Sequence, residues 1–449
     1  MKRTALALFA CLAAGSSFGQ GAFAQEMAAD NKAANDKTPA AGADHSAHKG
    51  AMGQMNHVAP PACAEGRPEC APTATPAFAK DGRLWLVYSV GNSVYAASSR
   101  DNGKTFLAPV VVATAEGGVL DANGEARPKI VALPNGTLLA SYTMRPEKSH
   151  DGTIFVARST DGGKSFAKPT PLLDDSGQRF EVFAIAPKGR IYAAWLDKRD
   201  AKTAKAAGRE FAGSGTAVGW SDDGGATFQG KKILMDHSCE CCRIAAAIDR
   251  DGLPVFVWRH VFDGNLRDHY AAKLSVDGAT LKGGRVSEDE WATNSCPHHG
   301  PSLAIDASGG WHVVWYARGK KRQGLFYARS LDGGKTFSEP EKFADDERAA
   351  SRPYLLAAKG GVYRAWKEFD GATTTIALQA SRDGGKSWSA ARVTASTQDA
   401  SDHPLLIERK GAAWLSWLTR KEGYRLVPIA REQAFGPPPK SALAETHVK

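Results

Sequence analysis

The chain has 449 residues, of which 43% are hydrophobic and 23% are charged, a composition typical of folded soluble proteins. Its 46 glycines and 23 prolines favour many turns and short strands over long helices. The formal net charge is +9, but Lys and Arg are interspersed with Asp and Glu, which excludes the clustered basic face of a nucleic-acid-binding protein. No internal apolar run is long enough to span a bilayer, so we predict no integral membrane segment after the N-terminus.

The first 24 residues predict a signal peptide. Two basic residues at positions 2 and 3 precede an apolar stretch over residues 4–15, which is too short to cross a membrane. The sequence AFA at 22–24 has the small-x-small pattern of a cleavage site and leaves Gln25 as the first mature residue. We therefore expect a bacterial protein that is periplasmic or secreted, in a compartment that oxidises thiols.

Residues 25–61 predict a disordered tail, because they contain almost no large apolar side chain that a core could bury. Within this tail, thioether and imidazole side chains are concentrated in a few residues, and these are ligands that suit copper. The segment resembles the Met/His-rich tails of bacterial periplasmic copper-handling proteins. The resemblance implies copper as the bound ion and other periplasmic metal-handling proteins as partners. The predicted tail ligands are His45, His48, Met52, Met55 and His57.

The rest of the chain is an array of repeats with the signature S-x-D-x-G-x-[ST]-[FW]. Each copy is typical of a hairpin turn in which the Asp accepts backbone N–H groups and Gly supplies a positive φ. These copies resemble the Asp-box, or BNR, motif of the sialidase-like propeller families, and that resemblance implies architecture more than chemistry. Five good copies begin at Ser99, Ser159, Ser221, Ser330 and Ser381, and a degenerate copy begins at Ser275.

A second signature fixes the number of repeats. An apolar strand that ends in an aromatic residue recurs at intervals of roughly 50 to 60 residues, a spacing typical of propeller blades. These aromatic residues are Tyr88, Tyr142, Trp195, Trp258, Trp315, Trp366 and Trp417. We therefore predict an all-β fold over residues 62–435, a monomeric β-propeller of four-stranded blades, followed by a disordered tail over 436–449. Seven blades are favoured, with the last completed by the segment just after the N-terminal tail, and six blades are the alternative.

The first strand of each propeller blade lines the central channel, so residues just before these strands meet at one mouth of the channel. Aligning the repeats by their aromatic residues brings Cys and His residues of neighbouring blades to this mouth. We call these residues the Cys/His cluster: Cys239, Cys241, Cys242, Cys296, His298, His299 and His403.

Three interpretations of the Cys/His cluster stay open. In an oxidising compartment Cys239 and Cys296 can form a bridge between blades, with Cys63 and Cys70 paired locally. Alternatively, thiolates and imidazoles together bind a metal ion, and this ligand set suits Cu(I) or Zn(II). A purely structural cluster is the weakest interpretation, because free cysteines are a liability where thiols are oxidised.

An enzymatic function is the alternative to metal binding. Arg127, Arg243 and Arg352 occupy equivalent positions before their strands and can clasp an anion. Alternatively, these arginines pair with acidic residues of the loops at the channel mouth, namely Glu125, Glu181 and Glu240. The resemblance to sialidases implies an arginine triad that binds a substrate carboxylate, but here Arg-Pro-Lys replaces the usual Arg-Ile-Pro, and no Tyr–Glu pair can be placed. We therefore predict a non-catalytic propeller that binds metal, most readily copper, with zinc as a second choice. The alternative is a sialidase-like glycoside hydrolase or a glycan-binding propeller.

One further segment carries unusual chemistry. The hairpin between Trp258 and Tyr270 contains His260, Arg267 and His269. Such a polar composition predicts a solvated hairpin near the channel mouth.

Overall fold

The protein is described by a computed structural model that covers residues 66–173 and 176–436. The predicted signal peptide, the Met/His tail with its five ligands, and the C-terminal tail over 437–449 lie outside these residues. Cys70 is disulfide-bonded, and its partner also lies outside them. The predicted Cys63–Cys70 pair therefore stays a prediction.

Seven antiparallel sheets are arranged as the blades of a β-propeller. The first blade contains β1 (Ala74–Phe78), β2 (Leu84–Val90), β3 (Ser93–Ser99) and β4 (Val110–Thr114). The second contains β5 (Val119–Leu120), β6 (Lys129–Ala132), β7 (Leu138–Arg145), β8 (Thr153–Ser159) and β9 (Thr170–Pro171). The third contains β10 (Gln178–Ile185), β11 (Ile191–Asp197), β12 (Ser214–Ser221) and β13 (Gln229–Ser238).

The remaining blades follow the same order. The fourth contains β14 (Ala245–Ile248), β15 (Pro254–Arg259), β16 (His269–Leu274) and β17 (Thr280–Arg285). The fifth contains β18 (Ser302–Ile305), β19 (Trp311–Arg318), β20 (Gln323–Ser330) and β21 (Glu341–Phe343). The sixth contains β22 (Ser351–Ala358), β23 (Gly361–Phe369), β24 (Thr374–Ser381) and β25 (Arg392–Thr397). The seventh contains β26 (Leu405–Arg409), β27 (Ala412–Thr419) and β28 (Gly423–Pro428).

The first strands of most successive blades contact one another around the axis, and β10 of the third blade contacts β7 and β8 of the second. Finally, β26 of the last blade contacts β1 of the first. The ring is therefore closed, and the prediction of seven blades is confirmed. In the seventh blade, three strands fall among the described residues. The segment just after the tail forms a 3-10 turn over Pro68–Cys70 that packs against β28 and β2, and no strand of the seventh blade is found in it within the described ranges.

The repeated aromatic residues occupy the second strand of every blade and are buried between blades. Trp195, Trp315 and Trp366 are almost completely buried, among small aliphatic residues of the flanking sheets. Large flat side chains at one register position fill the wedge between neighbouring sheets, which explains why this signature counts the blades correctly.

The Asp boxes form the predicted turns between the third and fourth strands. In the fifth blade, Asp332 accepts the backbone N–H groups of Lys335 and Thr336 and the hydroxyl of Thr336. The second glycine of a box must be glycine for two reasons. Gly163 has a φ of 81°, and a Cβ there would lie 1.9 Å from Trp85 of the neighbouring blade.

The Asp boxes predict a specific loss of stability in acid. The hydroxyl of Thr336, followed by its backbone N–H, holds the pKa of Asp332 below its ordinary value. A carboxylate with a lowered pKa stabilises the fold above its unfolded pKa of about 4, and that stabilisation disappears as the pH falls towards its folded pKa. We expect the free energy of unfolding to fall between pH 5 and pH 2, and to fall less in Asp332→Ala. Urea denaturation at several pH values measures both, and equal pH slopes would contradict the prediction.

Helices are few, as predicted. The described residues contain α1 (Arg199–Ala206) after β11, α2 (Arg431–Phe435) after β28, and short 3-10 turns at Pro68–Cys70, Asp263–Asn265 and Asp346–Arg348. None of the helices in the described part of the chain has the length and apolar character needed to cross a membrane.

Candidate metal centre and channel mouth

The first strands of three blades are interrupted at the same end of the propeller. In the second blade, β5 and β6 both pair with β7 and are separated by the loop 121–128. In β10 and β22 a bulge interrupts the pairing, at Phe180 and at Arg352, and both residues have positive φ. Bulges and such backbone conformations concentrate at functional sites because they turn side chains out of the sheet. Here they bring polar side chains to the axis.

Glu125 lies on this axis and contacts residues from several other blades. Its Oε2 accepts the backbone N–H groups of Arg243 at 3.0 Å and Gly300 at 2.9 Å. Its Oε1 accepts Arg243 Nη1 at 2.5 Å and Arg352 Nη1 at 3.4 Å. Burial alone would raise the pKa of Glu125, but the two arginines and the two N–H donors outweigh burial and hold this pKa below its ordinary value. Glu125 is therefore a buried carboxylate that joins four blades.

Arg127 is paired with a different carboxylate. Its Nη1 and Nη2 donate to the two oxygens of Asp402, each at 2.7 Å, and both side chains are buried. Asp402 also accepts the backbone N–H of Ala74. This bidentate pair thus links the second, seventh and first blades across the place where the ring closes.

Two lysines extend the positive charge of the channel mouth. Lys129 donates to the carbonyl of Arg127, and Lys367 donates to that of Ser401. Burial lowers the pKa of Lys129, and it lowers the pKa of Lys367 to about 8 although Asp402 opposes the shift. We call these two lysines and the three arginines Arg127, Arg243 and Arg352 the cationic cluster. Its five cations outnumber the two carboxylates that the arginines contact, Glu125 and Asp402.

Three cysteine sulfurs lie side by side in the loop between β13 and β14. The Sγ atoms of Cys239 and Cys241 are 3.6 Å apart, those of Cys239 and Cys242 are 3.8 Å apart, and those of Cys241 and Cys242 are 3.9 Å apart. Cys241 Sγ also groups with Cys296 Sγ and a ring nitrogen of His298, within 4.8 Å of one another. We call these four cysteines and His298 the thiolate site. Cys239, Cys241 and Cys242 are buried, whereas Cys296 and His298 are exposed.

The spacing of the sulfurs matches metal coordination. A tetrahedral ion with metal–sulfur bonds of about 2.3 Å places its sulfur ligands about 3.8 Å apart. A disulfide would instead need about 2.05 Å. All four cysteines of the thiolate site are free, so the predicted Cys239–Cys296 bridge is not formed. The spacing fits a metal site and fits equally a structural cluster of hydrogen-bonded thiols.

The three buried cysteines differ in the direction of their pKa shifts. Hydrogen bonds with Cys241 and Cys242, and then the positive charges of Arg259 and Arg267, lower the pKa of Cys239 well below its ordinary value. The hydrogen bond with Cys239 raises the pKa of Cys241, while burial raises that of Cys242. Cys239 therefore has the most thiolate character of the three.

The other histidines of the predicted Cys/His cluster point elsewhere. His299 is half-buried and stacks on Tyr316, with ring centroids 4.2 Å apart. His403 packs against Gly124 and lies 3.9 Å from Glu125, where burial, followed by the positive charge of Arg352, lowers its pKa well below the ordinary value. Neither residue belongs to the group of atoms that includes the sulfurs.

The hairpin after Trp258 is exposed at its tip, at Asp263 and Gly264, as predicted, but its base is buried. At the base, Asp268 and His269 are completely buried, and Asp268 pairs with Arg285 of β17. Arg267 donates to Cys239 Sγ at 3.3 Å, so the hairpin contacts the thiolate site.

Comparison with known proteins shows the fold alone. No family model matches the chain, and no curated protein matches it in sequence. Among solved structures, an ulvan lyase of a new polysaccharide lyase family matches with a TM-score of 0.54 and 14% identity, covering 80% of this chain and 91% of that chain. A Hadza microbial sialidase matches with a TM-score of 0.47 and 16% identity, covering 79% and 74%. A leech intramolecular trans-sialidase matches with a TM-score of 0.42 and 8% identity, covering 82% and 69%.

The likeness to the ulvan lyase, at 14% identity, shows that the two chains share the propeller fold and no more. The arginines Arg127, Arg243 and Arg352 do lie together, but each already contacts a carboxylate of the protein.

Proposed function

We propose that this protein binds a soft metal ion, copper(I) in the first place, through the thiolate site. The single observation that carries the proposal is the spacing of the Sγ atoms of Cys239, Cys241 and Cys242, at 3.6 to 3.9 Å. Three thiolates select soft cations such as Cu(I), and Cys296 and His298 group with Cys241 alone, so the three sulfurs of Cys239, Cys241 and Cys242 are the proposed ligands of copper.

The surroundings of the thiolate site support a bound ion. Arg267 beside Cys239 offsets the negative charge of several thiolates. The sulfurs of Cys239, Cys241 and Cys242 are buried, whereas Cys296 and His298 next to Cys241 are exposed. An ion can enter from that exposed side. The proposed setting is the bacterial periplasm or the extracellular space, inferred from residues 1–24, with other metal-handling proteins as donors or acceptors.

Replacing Cys242 by serine tests the proposed function. We expect the reduced wild-type protein to bind one Cu(I) tightly in competition with a chelator, and Cys242→Ser to bind it at least 100-fold more weakly, because one of three thiolates is lost. Ser238→Ala is the matched control, since it removes one polar atom next to the same loop but no sulfur. Copper binding that is equal in Cys242→Ser and wild type would refute the proposal.

A second candidate function is the binding or cleavage of an anionic saccharide at the cationic cluster. It is favoured by the excess of cations there and by the ulvan lyase neighbour, whose structure contains a bound GlcA-containing saccharide. It ranks second because the carboxylate of Glu125 already occupies the space between Arg243 and Arg352. Incubation with a fluorogenic sialoside and with uronate-containing polymers tests it. Turnover that Arg352→Gln abolishes would establish this function, and no turnover or binding by the wild type would exclude it.

A further inference from the structure

The thiolate site is built from two loops that meet where Cys241 contacts Cys296. The first loop carries Cys239, Cys241 and Cys242 and ends at Arg243, while the second carries Cys296 and His298 and ends at Gly300. Cys241 belongs to both groups of ligand atoms, so the separations of these atoms depend on how the two loops lie, and small displacements weaken metal binding. Whatever fixes the ends of these loops therefore fixes the site.

Glu125 fixes both ends. One oxygen, Oε2, accepts the N–H of Arg243, the residue after Cys242, and the N–H of Gly300, two residues after His298. Glu125 belongs to the second blade, which contributes none of the ligands of the thiolate site. Its side chain is only 3% exposed, so water does not compete for these two donors.

The two loop ends are in direct contact at this point. A Cβ on Gly300 would lie 2.4 Å from Cγ of Arg243 and 2.5 Å from its carbonyl oxygen, so the absence of a side chain is what lets the loops meet. A displacement of one loop therefore displaces the other.

Arg352 connects the same carboxylate to a residue of the thiolate site. It donates to Oε1 of Glu125 and to the carbonyl oxygen of His298. His298 has a φ of 50° and Arg352 a φ of 55°, conformations that cost free energy and persist only where the surroundings impose them. The contact between them holds the His298 backbone in this conformation.

We propose that Glu125 is the positioning residue of the thiolate site, and that it couples the geometry of the metal ligands to the arginines of the channel mouth. The inference rests on the proposed metal binding and extends it to a residue on another blade. The negative charge of Glu125 matters as well as its shape, because Arg243 and Arg352 each donate a guanidinium N–H to its carboxylate.

The variant Glu125→Gln tests this inference, with Co(II) as the probe because its absorption reports the coordination geometry. Removal of such an outer contact typically lowers metal affinity about 10- to 100-fold, and we expect a loss in this range together with a changed Co(II) spectrum. Glu181→Gln is the matched control. Glu181 is equally buried on the neighbouring blade, but its carboxylate accepts the hydroxyls of Ser141 and Thr143 and touches neither ligand loop.

The outcomes separate the two proposals. If the wild type binds no Co(II), Zn(II) or Cu(I), the proposed function fails. If the wild type binds but folded Glu125→Gln keeps its affinity and spectrum, or if Glu181→Gln loses as much, the positioning role of Glu125 is refuted. If Glu125→Gln does not fold, Arg352→Gln replaces it, because it releases the His298 carbonyl while leaving both N–H contacts of Glu125, and an unchanged Co(II) spectrum then refutes the coupling.

Discussion

Replacing Asp402 by alanine is expected to lower the free energy of unfolding by about 3–5 kcal/mol. The variant leaves the guanidinium of Arg127 buried without its counter-charge, and it leaves the N–H of Ala74 without its acceptor. The side chains of Arg127 and Asp402 are only 6% and 2% exposed, so water does not compensate for the loss. Equilibrium denaturation in guanidinium chloride measures the change.

The chain offers a matched control on the surface. Arg190 and Asp222 form the same bidentate contact, at 2.6 and 2.8 Å, but their side chains are 27% and 45% exposed. Asp222→Ala should cost less than about 1 kcal/mol, because solvent screens the pair. Equal costs of Asp402→Ala and Asp222→Ala would show that the buried pair does not fasten the ring. The double variant with Arg127→Met and Asp402→Leu should recover much of the lost stability, since no unpaired charge remains.

Metal loading is expected to raise the free energy of unfolding by about 4 kcal/mol when the free ion is at 1,000 times its dissociation constant. This figure applies to binding by the folded state alone, and any binding of the ion to Cys239, Cys241 and Cys242 in the unfolded chain reduces it. The double variant with Cys239→Ser and Cys296→Ser should show almost none of it. Thermal denaturation of the reduced protein with and without Cu(I) or Zn(II) provides the measurement.

Deleting residues 25–60 separates the two predicted kinds of metal site. A flexible segment loses about 1–2 kcal/mol for each backbone residue that an ion orders, so its affinity should be moderate and its exchange fast. The shortened protein should lose only weakly bound equivalents and keep the full stabilisation by metal. If the deletion removes the stabilisation and the double cysteine variant does not, the tail and not the thiolate site is the tight site.

The architecture could be predicted from the sequence because its signals are local and repeated. An Asp box needs only eight consecutive residues, and one aromatic residue marks the second strand of each blade. The details of ring closure were less accessible. The sequence suggested a strand from the segment after the tail, whereas residues 68–70 form a 3-10 turn, as expected where a proline begins the turn.

The candidate site could be predicted only in part, because its contacts join distant blades. Alignment of the repeats brought Cys239, Cys241 and Cys296 together, but it could not tell which side of a loop each residue faces. His298 lies with the sulfurs, and the adjacent His299 stacks on Tyr316 instead. The central position of Glu125 depends on the loop that divides β5 from β6, and no local pattern marks that loop.

The closure of the ring has a mechanical consequence. Each blade takes its strands from consecutive residues, and among the described residues no strand crosses the boundary between the seventh and first blades. The contacts at this boundary include the hydrogen bond from the N–H of Ala74 to Asp402 and the packing of Phe106 on Tyr424. A force that pulls the two ends of the propeller apart therefore acts at this boundary on a few side-chain contacts rather than on a ladder of backbone hydrogen bonds. We expect the ring to open between the seventh and first blades at low force, while the individual blades remain folded.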